Sequence, residues 1–361
     1  MSVRWNFAAG ASGLPPGVLE RVREELGDFA HSGLSVLELP FTGPQFRDIL
    51  ARAEAGLRAL LDLSDEYAVL FLQGGASAQF ALVPLNLLGM AGHADYIETG
   101  YWSRKCIVEA DRFCKVHVAA SSAATGFDRI PDPREWQPSS GAAYTHITGN
   151  ETADGLEYPW TPVRRRTPLV ADLTSSFLTR PVDVTSFGAI YASAQKNLGP
   201  AGLTIVMVQR ALLDREQAGT PAVFSYRRQA EAGSLINTPP TFAVYLAGLV
   251  FEWIAARGGL SAMEEGSRRK SAGVYRAIDN SGGFYRCPVL PEFRSRVNVC
   301  FHLPDAERTQ RFLDEARQEG LLNLGGHNQR GGIRASLYNA MPEEGAQALA
   351  DFMDEFRRCR G

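Results

Sequence analysis

Apolar residues recur at three- and four-residue spacing in two early stretches of the chain. They predict one helix from Pro16 or Gly17 through Leu26. A longer one follows over 44–61, with Phe46, Ile49, Leu50, Ala53, Leu57, Leu60 and Leu61 on one side. The first 14 residues, which carry Gly10 and Gly13 ahead of Pro15-Pro16, read as irregular. From about residue 67 the pattern changes to short apolar runs: 68–72, 94–97, 115–118, 142–147, 169–171, 189–191 and 204–208. Helical stretches separate several of them, and Gly74-Gly75-Ala76-Ser77 opens one. That alternation predicts an α/β protein with a mostly parallel sheet covered on both faces. Around residue 240 the character shifts again. Helices are expected over 242–256, 262–278, 305–319 and 343–358, with strands over 296–301 and 332–337. The expected organisation is an N-terminal segment, 1–15, a large domain, 16–257, and a small C-terminal α+β domain, 258–361.

Composition changes this picture little and excludes several functions. The 361 residues are 45% hydrophobic and 21% charged, with a formal net charge of -3. No broad basic surface for nucleic acid is implied. The longest basic run, Arg164-Arg165-Arg166, lies between Pro162 and Pro168 and reads as a solvated loop. The five cysteines contain no Cys-x-x-Cys pair and the six histidines are scattered, so no metal-ligand spacing is present. An odd, sparse set of thiols fits a reducing compartment. No signal-peptide core and no run of about 18 apolar residues is seen, so a cytoplasmic location is expected.

One lysine dominates the candidate chemistry. Lys196 stands in Tyr191-Ala192-Ser193-Ala194-Gln195-Lys196-Asn197, after one apolar run and before another. An ammonium there should be partly desolvated, which lowers its pKa and yields a nucleophilic amine. A Schiff-base lysine with pyridoxal phosphate is the functional reading; a lysine reaching from a strand end to water is the structural one. Asp172 ends the apolar run at Leu169-Val170-Ala171, where a parallel sheet places its ligand. It could pair with a pyridine nitrogen, or simply serve a turn. Gly74-Gly75-Ala76-Ser77 could cradle a phosphate on backbone amides at a helix start, or form a tight turn. Trp102, after a short strand, could stack on a flat ring or pack in the core. Asn237 and Thr238 could cap the following helix, with Pro239 and Pro240 in its first turn, or contact a phosphate. Arg334, inside an expected strand, is costly unless it meets an anion, either a substrate carboxylate or a structural partner.

Together these segments make the chain resemble the phosphoserine aminotransferase family, class V enzymes of pyridoxal-phosphate fold type I. The resemblance runs nearly end to end. It is carried by Gly74 through Phe80, Gly100-Tyr101-Trp102, Asn150-Glu151-Thr152-Ala153-Asp154-Gly155, Ala171-Asp172, Tyr191 through Leu203, Asn237 through Phe242, and Gly332 through Pro342. It implies a seven-stranded sheet in the large domain, pyridoxal 5'-phosphate as cofactor, ping-pong transfer of an amino group between an amino acid and a 2-keto acid, and a role in serine biosynthesis. It also implies site roles: Lys196 carries the cofactor and moves the proton, Asp172 pairs with the ring nitrogen, Trp102 stacks on the ring, and Thr152 meets the ring hydroxyl region. Ala76, Ser77 and Gln195 hold the phosphate, with Asn237 and Thr238 reaching it from the partner subunit of a homodimer. Arg334 takes the substrate α-carboxylate.

Two departures stand out. Where the family has His-Arg pairs, this chain has Phe41-Thr42 before Gly43, and His327-Asn328 after Gly326. In the family those groups bind the substrate's phosphate or distal carboxylate, and each lost charge-assisted contact is worth on the order of 1.5–3 kcal/mol. His327 remains and Arg330 could compensate. Alternatively Phe41 offers apolar contact to a less anionic amino or keto acid. A cysteine desulfurase would share Lys196 and Asp172 but needs a reactive cysteine in a mobile loop, and none is apparent. A cofactor-free interaction protein would not need the set of Lys196, Asp172 and Trp102.

Overall fold

The computed structural model describes residues 3–162 and 167–361. The basic triplet read as a solvated loop, Arg164-Arg165-Arg166, lies outside the described residues. Seven strands form the central sheet: β1 (Tyr67–Leu72), β2 (His93–Glu98), β3 (Lys115–Ser121), β4 (Thr145–Thr148), β5 (Leu169–Asp172), β6 (Ala189–Ser193) and β7 (Thr204–Gln209). Their order across the sheet is β1-β7-β6-β5-β4-β2-β3. Only β7 runs against the rest, pairing antiparallel with both β1 and β6. The connection over 194–203 is shorter than the dozen or more residues that a parallel crossover requires, which accounts for that reversal.

Successive side chains of each strand enter opposite cores. Val69, Phe71, Ala171, Ile190, Ala192, Ile205 and Met207 pack on one side, with Phe46, Leu57, Val244 and Phe251 from helices α2 (Pro44–Leu61) and α6 (Thr241–Ala256). Leu70, Val170, Tyr191, Val206 and Val208 pack on the other, against Phe80 and Val83 of α3 (Gly75–Leu87) and Cys106 and Ala110 of α4 (Tyr101–Ala110). Both faces are therefore covered; β1, β5 and β6 read as unbroken buried runs, and β7 is buried up to Gln209. Helix α1 (Pro16–Glu25) contacts α6, and α5 (Tyr226–Glu231) lies against β1.

A third core joins α7 (Gly259–Asp279), α8 (Ala306–Gln318) and α9 (Glu343–Arg360) to β8 (Asn298–Phe301) and β9 (Ile333–Ser336). Phe7 is fully buried in it. The N-terminal segment is less irregular than its sequence: Trp5–Asn6 pairs in parallel with Leu321–Leu322. Two residues carry no periodicity to read. The expectation of side-chain capping before α6 fails too. The helix starts at Thr241 after Pro240 with no side-chain cap, so both prolines precede the first turn. Among the described residues no single helix is long and apolar enough to cross a membrane.

Candidate active site

The carboxyl ends of β4, β5 and β6 and the start of α3 converge on one cavity of about 130 Å³. Its lining includes Gly75, Ala76, Ser77, Trp102, Thr152, Asp172, Gln195 and Lys196. Sequence reasoning named seven of these eight as site residues, and Gly75 as part of the glycine turn. Larger grooves lie elsewhere, as between Trp253, Arg257, Lys270 and Glu343, but they bring together no such set of chemical groups.

Lys196 follows β6 and is half-buried, and its Nζ donates to Thr152 Oγ1 at 2.7 Å. Burial lowers its ammonium from 10.5 to about 7; Asp172 opposes that shift and the positive charge of Arg334 adds to it. The turn is fixed from several sides. The Ser12 amide donates to the Gln195 carbonyl at 2.9 Å, and Ser12 Oγ donates to the Lys196 carbonyl. Asn197 Nδ2 donates to the Ser175 carbonyl at 3.0 Å, and Asn197 Oδ1 accepts from the Asn339 amide at 3.1 Å.

Asp172 is the last residue of β5 and is buried. Its Oδ1 accepts from the Thr174 amide at 2.9 Å. Burial raises its carboxyl above the ordinary value, while Thr174 and the Lys196 charge act the other way. An acid so placed is ready for a cationic partner. On the neighbouring strand, Tyr191 is its register partner; Tyr191 Oη and His146 Nε2 are 2.9 Å apart, and burial drives His146 down to about 3, so that imidazole is neutral.

Ala76 and Ser77 stand in the first turn of α3, where unpaired amides and the helix dipole favour an anion. Gly75 has φ +69°, and a Cβ there would come within 3.5 Å of Ser193 Oγ. Ser193 Oγ in turn donates to Gln195 Oε1. Trp102 belongs to the first turn of α4, rather than to a strand end as its sequence context suggested. Lys196 Nζ lies 6.0 Å from the indole centroid. Trp102 Nε1, Asn150 Oδ1 and Thr148 Oγ1 are buried without partners, and all three residues line the cavity. Orphaned polar atoms, an anion-favouring helix start, a buried acid and a desolvated amine together fit pyridoxal phosphate.

The remaining predicted residues fall outside this lining. Arg334 lies on β9 and has no ion pair among the described residues, although its charge acts on Lys196 and His327. The His327 ring packs 4.2 Å from that of Tyr101. Arg330 Nε is 2.6 Å from Asp154 Oδ1, with its guanidinium over Phe127, so part of its charge is already engaged. Phe41 packs on the large core beside α2 and is no free apolar wall; Thr42 is exposed. Asn237 and Thr238 are exposed as well, and Gln73 Nε2 donates to the Thr238 carbonyl at 2.9 Å.

Sequence reasoning passed over Glu151 and Asp154. Glu151 is completely buried and accepts from the amides of Trp102 at 2.8 Å and Ser103 at 2.9 Å. Asp154 accepts from the Tyr101 amide at 2.8 Å. Their partners are distant in sequence, so nothing local announces them.

Comparison with known proteins places the chain in a family. The family model for aminotransferase class-V matches residues 4–349, and the chain belongs to that family. The phosphoserine aminotransferase of Laribacter hongkongensis is 50% identical over 357 residues, 99% of each chain. That of Stenotrophomonas maltophilia strain K279a is 47% identical over the full length of both. The solved phosphoserine aminotransferase from Bacillus circulans subsp. alkalophilus superposes with a TM-score of 0.97 at 42% identity, over 99% of each chain. Another solved phosphoserine aminotransferase, studied for radiation damage of its Schiff base, gives 0.96 at 41% identity, also over 99% of each chain.

Proposed function

We propose that this chain is a pyridoxal-phosphate-dependent phosphoserine aminotransferase that works as a homodimer in the cytoplasm. The observation that carries the reading is the pairing of a desolvated amine, Lys196, with a buried acid, Asp172, in one cavity beside a helix start. The full-length similarity to phosphoserine aminotransferases supports the substrate.

When bound, the cofactor supplies the carbonyl carbon that accepts the amino group and a ring that withdraws electrons. The residues of the chain would do the rest. Ala76, Ser77 and Gln195 would hold the phosphate. Asp172 would keep the ring nitrogen protonated, and Trp102 would wall one face of the ring. Thr152, already bonded to Lys196 Nζ, would orient the amine and the ring hydroxyl. Lys196 would take the proton from the substrate Cα and return it, across the amino nitrogen, at the cofactor carbon that bore the carbonyl, a general base with a pKa suited to neutral pH. Arg334 would clamp the α-carboxylate, with His327 and Arg330 facing the distal anion. Asn237 and Thr238 would reach the phosphate from the partner subunit. Both are exposed in the single chain, which supports such a shared site. The odd set of free cysteines supports a reducing compartment. We also propose the division into 1–15 with 258–361, and 16–257, which the separate third core supports.

The test is a half-reaction. Phosphoserine added to the purified, cofactor-loaded protein should bleach its near-visible absorbance, and borohydride should fix the label on Lys196. An unchanged spectrum with phosphoserine and glutamate, or a label elsewhere, would refute the assignment.

A further inference from the structure

A buried carboxylate, Glu151, and a part-buried one, Asp154, both outside the assigned machinery, meet the start of α4. Its first three amides, Tyr101, Trp102 and Ser103, have no partners within the helix. Asp154 takes the first, and Glu151 takes the second and third. The helix dipole at this end favours negative charge. Glu151 has no ion pair among the described residues, so these amides are its main compensation for full burial. Ser103 Oγ completes the cap, accepting from the Thr99 and Gly100 amides at 2.9 Å each. A Cβ at residue 100 would lie 2.6 Å from Asp154 Oδ2 and 2.7 Å from Glu151 Cδ, so the two acids reach the helix only because residue 100 is glycine.

The segment 151–154 that carries both acids also serves two other groups. Thr152, between the acids, holds Lys196 Nζ. Asp154 also holds Arg330, in the loop that carries His327. His327 itself packs on Tyr101, whose amide Asp154 accepts. One short segment thus touches the indole's helix, the amine and the substrate-side loop.

We propose that Glu151 and Asp154 are positioning residues: they set the plane of the Trp102 indole against the cofactor ring, and Asp154 ties that plane to the 325–332 loop through Arg330. The proposal rests on the cofactor reading above. Its consequence is that Glu151 acts on the cofactor through Trp102 and not by contact.

A four-variant cycle tests it: wild type, Glu151→Gln, Trp102→Ala, and the double variant. Cofactor affinity is measured by equilibrium dialysis, and Trp102 order by near-ultraviolet circular dichroism. Glu151→Gln keeps the shape of the side chain but replaces one acceptor with a donor. It should weaken pyridoxal-phosphate binding roughly tenfold when Trp102 is present, and leave it unchanged when residue 102 is alanine. An equal loss in both backgrounds would overturn the proposal, because the effect would then be general destabilisation. So would an unchanged affinity in both. If Glu151→Gln does not fold, Asp154→Asn takes its place in the cycle, with the added expectation that KM for the amino substrate rises more than kcat falls. Failure of the wild-type protein to bind the cofactor would instead refute the functional reading.

Discussion

At the scale of single residues, the site is governed by how burial sorts charge. Lys196 and Glu151 lie near each other and are both displaced toward neutrality, the amine down to about 7 and the acid up to about 7. Burial is the first cause for each; Asp154 adds to the shift of Glu151. In the cofactor-free protein, only the neutral amine attacks an aldehyde. The rate of reloading with pyridoxal phosphate should therefore rise as pH passes through about 7, and a Lys196→Met variant should not form the covalent link at any pH. The same shifts act on stability in separate windows. A folded-state value below the unfolded one means that the unfolded chain binds the extra proton between about 7 and 10.5, so the Lys196 contribution rises with pH across that window. For Glu151 the folded state keeps a proton that the unfolded chain loses between 4.5 and about 7, so its contribution falls as pH rises there. Thermal melts of the cofactor-free protein across pH should lose the upper slope in Lys196→Met and the lower slope in Glu151→Gln. Slopes unchanged by these substitutions would contradict the assignment.

At the scale of elements, the start of α4 is a tightly constrained junction. Gly100→Ala would set a Cβ against Asp154 and Glu151, two side chains held by their amide bonds. Overpacking of this kind costs about 1–3 kcal/mol. The variant should melt earlier and bind cofactor less tightly, while a Gly17→Ala control, with open space around its Cβ, should do neither. This junction also shows what the sequence concealed. Long amphipathic helices such as Pro44–Leu61 and the buried strands were legible because hydrophobic period follows burial directly. Helix α4 was not legible: Tyr-Trp-Ser-Arg-Lys after a glycine has no long apolar stripe, and its cap comes from acids some fifty positions away. Lys196 and Asp172 stood out because a charge inside an apolar run is rare. Glu151 and Asp154 lie in a polar stretch, where acids are ordinary. The direction of β7 was available in the shortness of the connection before it, and the helix start after Pro240 was hidden because proline fits both a first turn and the residues preceding it.

At the scale of the whole molecule, the large sheet and the third core are joined by polar contacts as well as by packing. Glu157, nearly fully buried after the Thr152 segment, accepts from Arg296 Nη2 at 2.6 Å and from the Arg296 amide at 2.9 Å. Arg296 also donates to Glu264 on α7 at 2.8 Å, and Arg180 stands 3.8 Å from Glu157. Removing one member of a buried pair typically costs about 3–5 kcal/mol, because the other charge is left uncompensated. Here Arg180 and the residue 296 amide remain beside Glu157 after Arg296→Met. The loss should therefore fall toward the lower end of that range, read as a lower melting temperature at fixed protein and cofactor concentration. Glu157→Gln in the same background removes the stranded charge and should recover part of the loss. If the double variant is instead less stable than Arg296→Met by the full cost of Glu157→Gln alone, the two residues are independent. The Glu157–Arg296 pair would then contribute nothing as a pair to holding the two cores in register around Lys196.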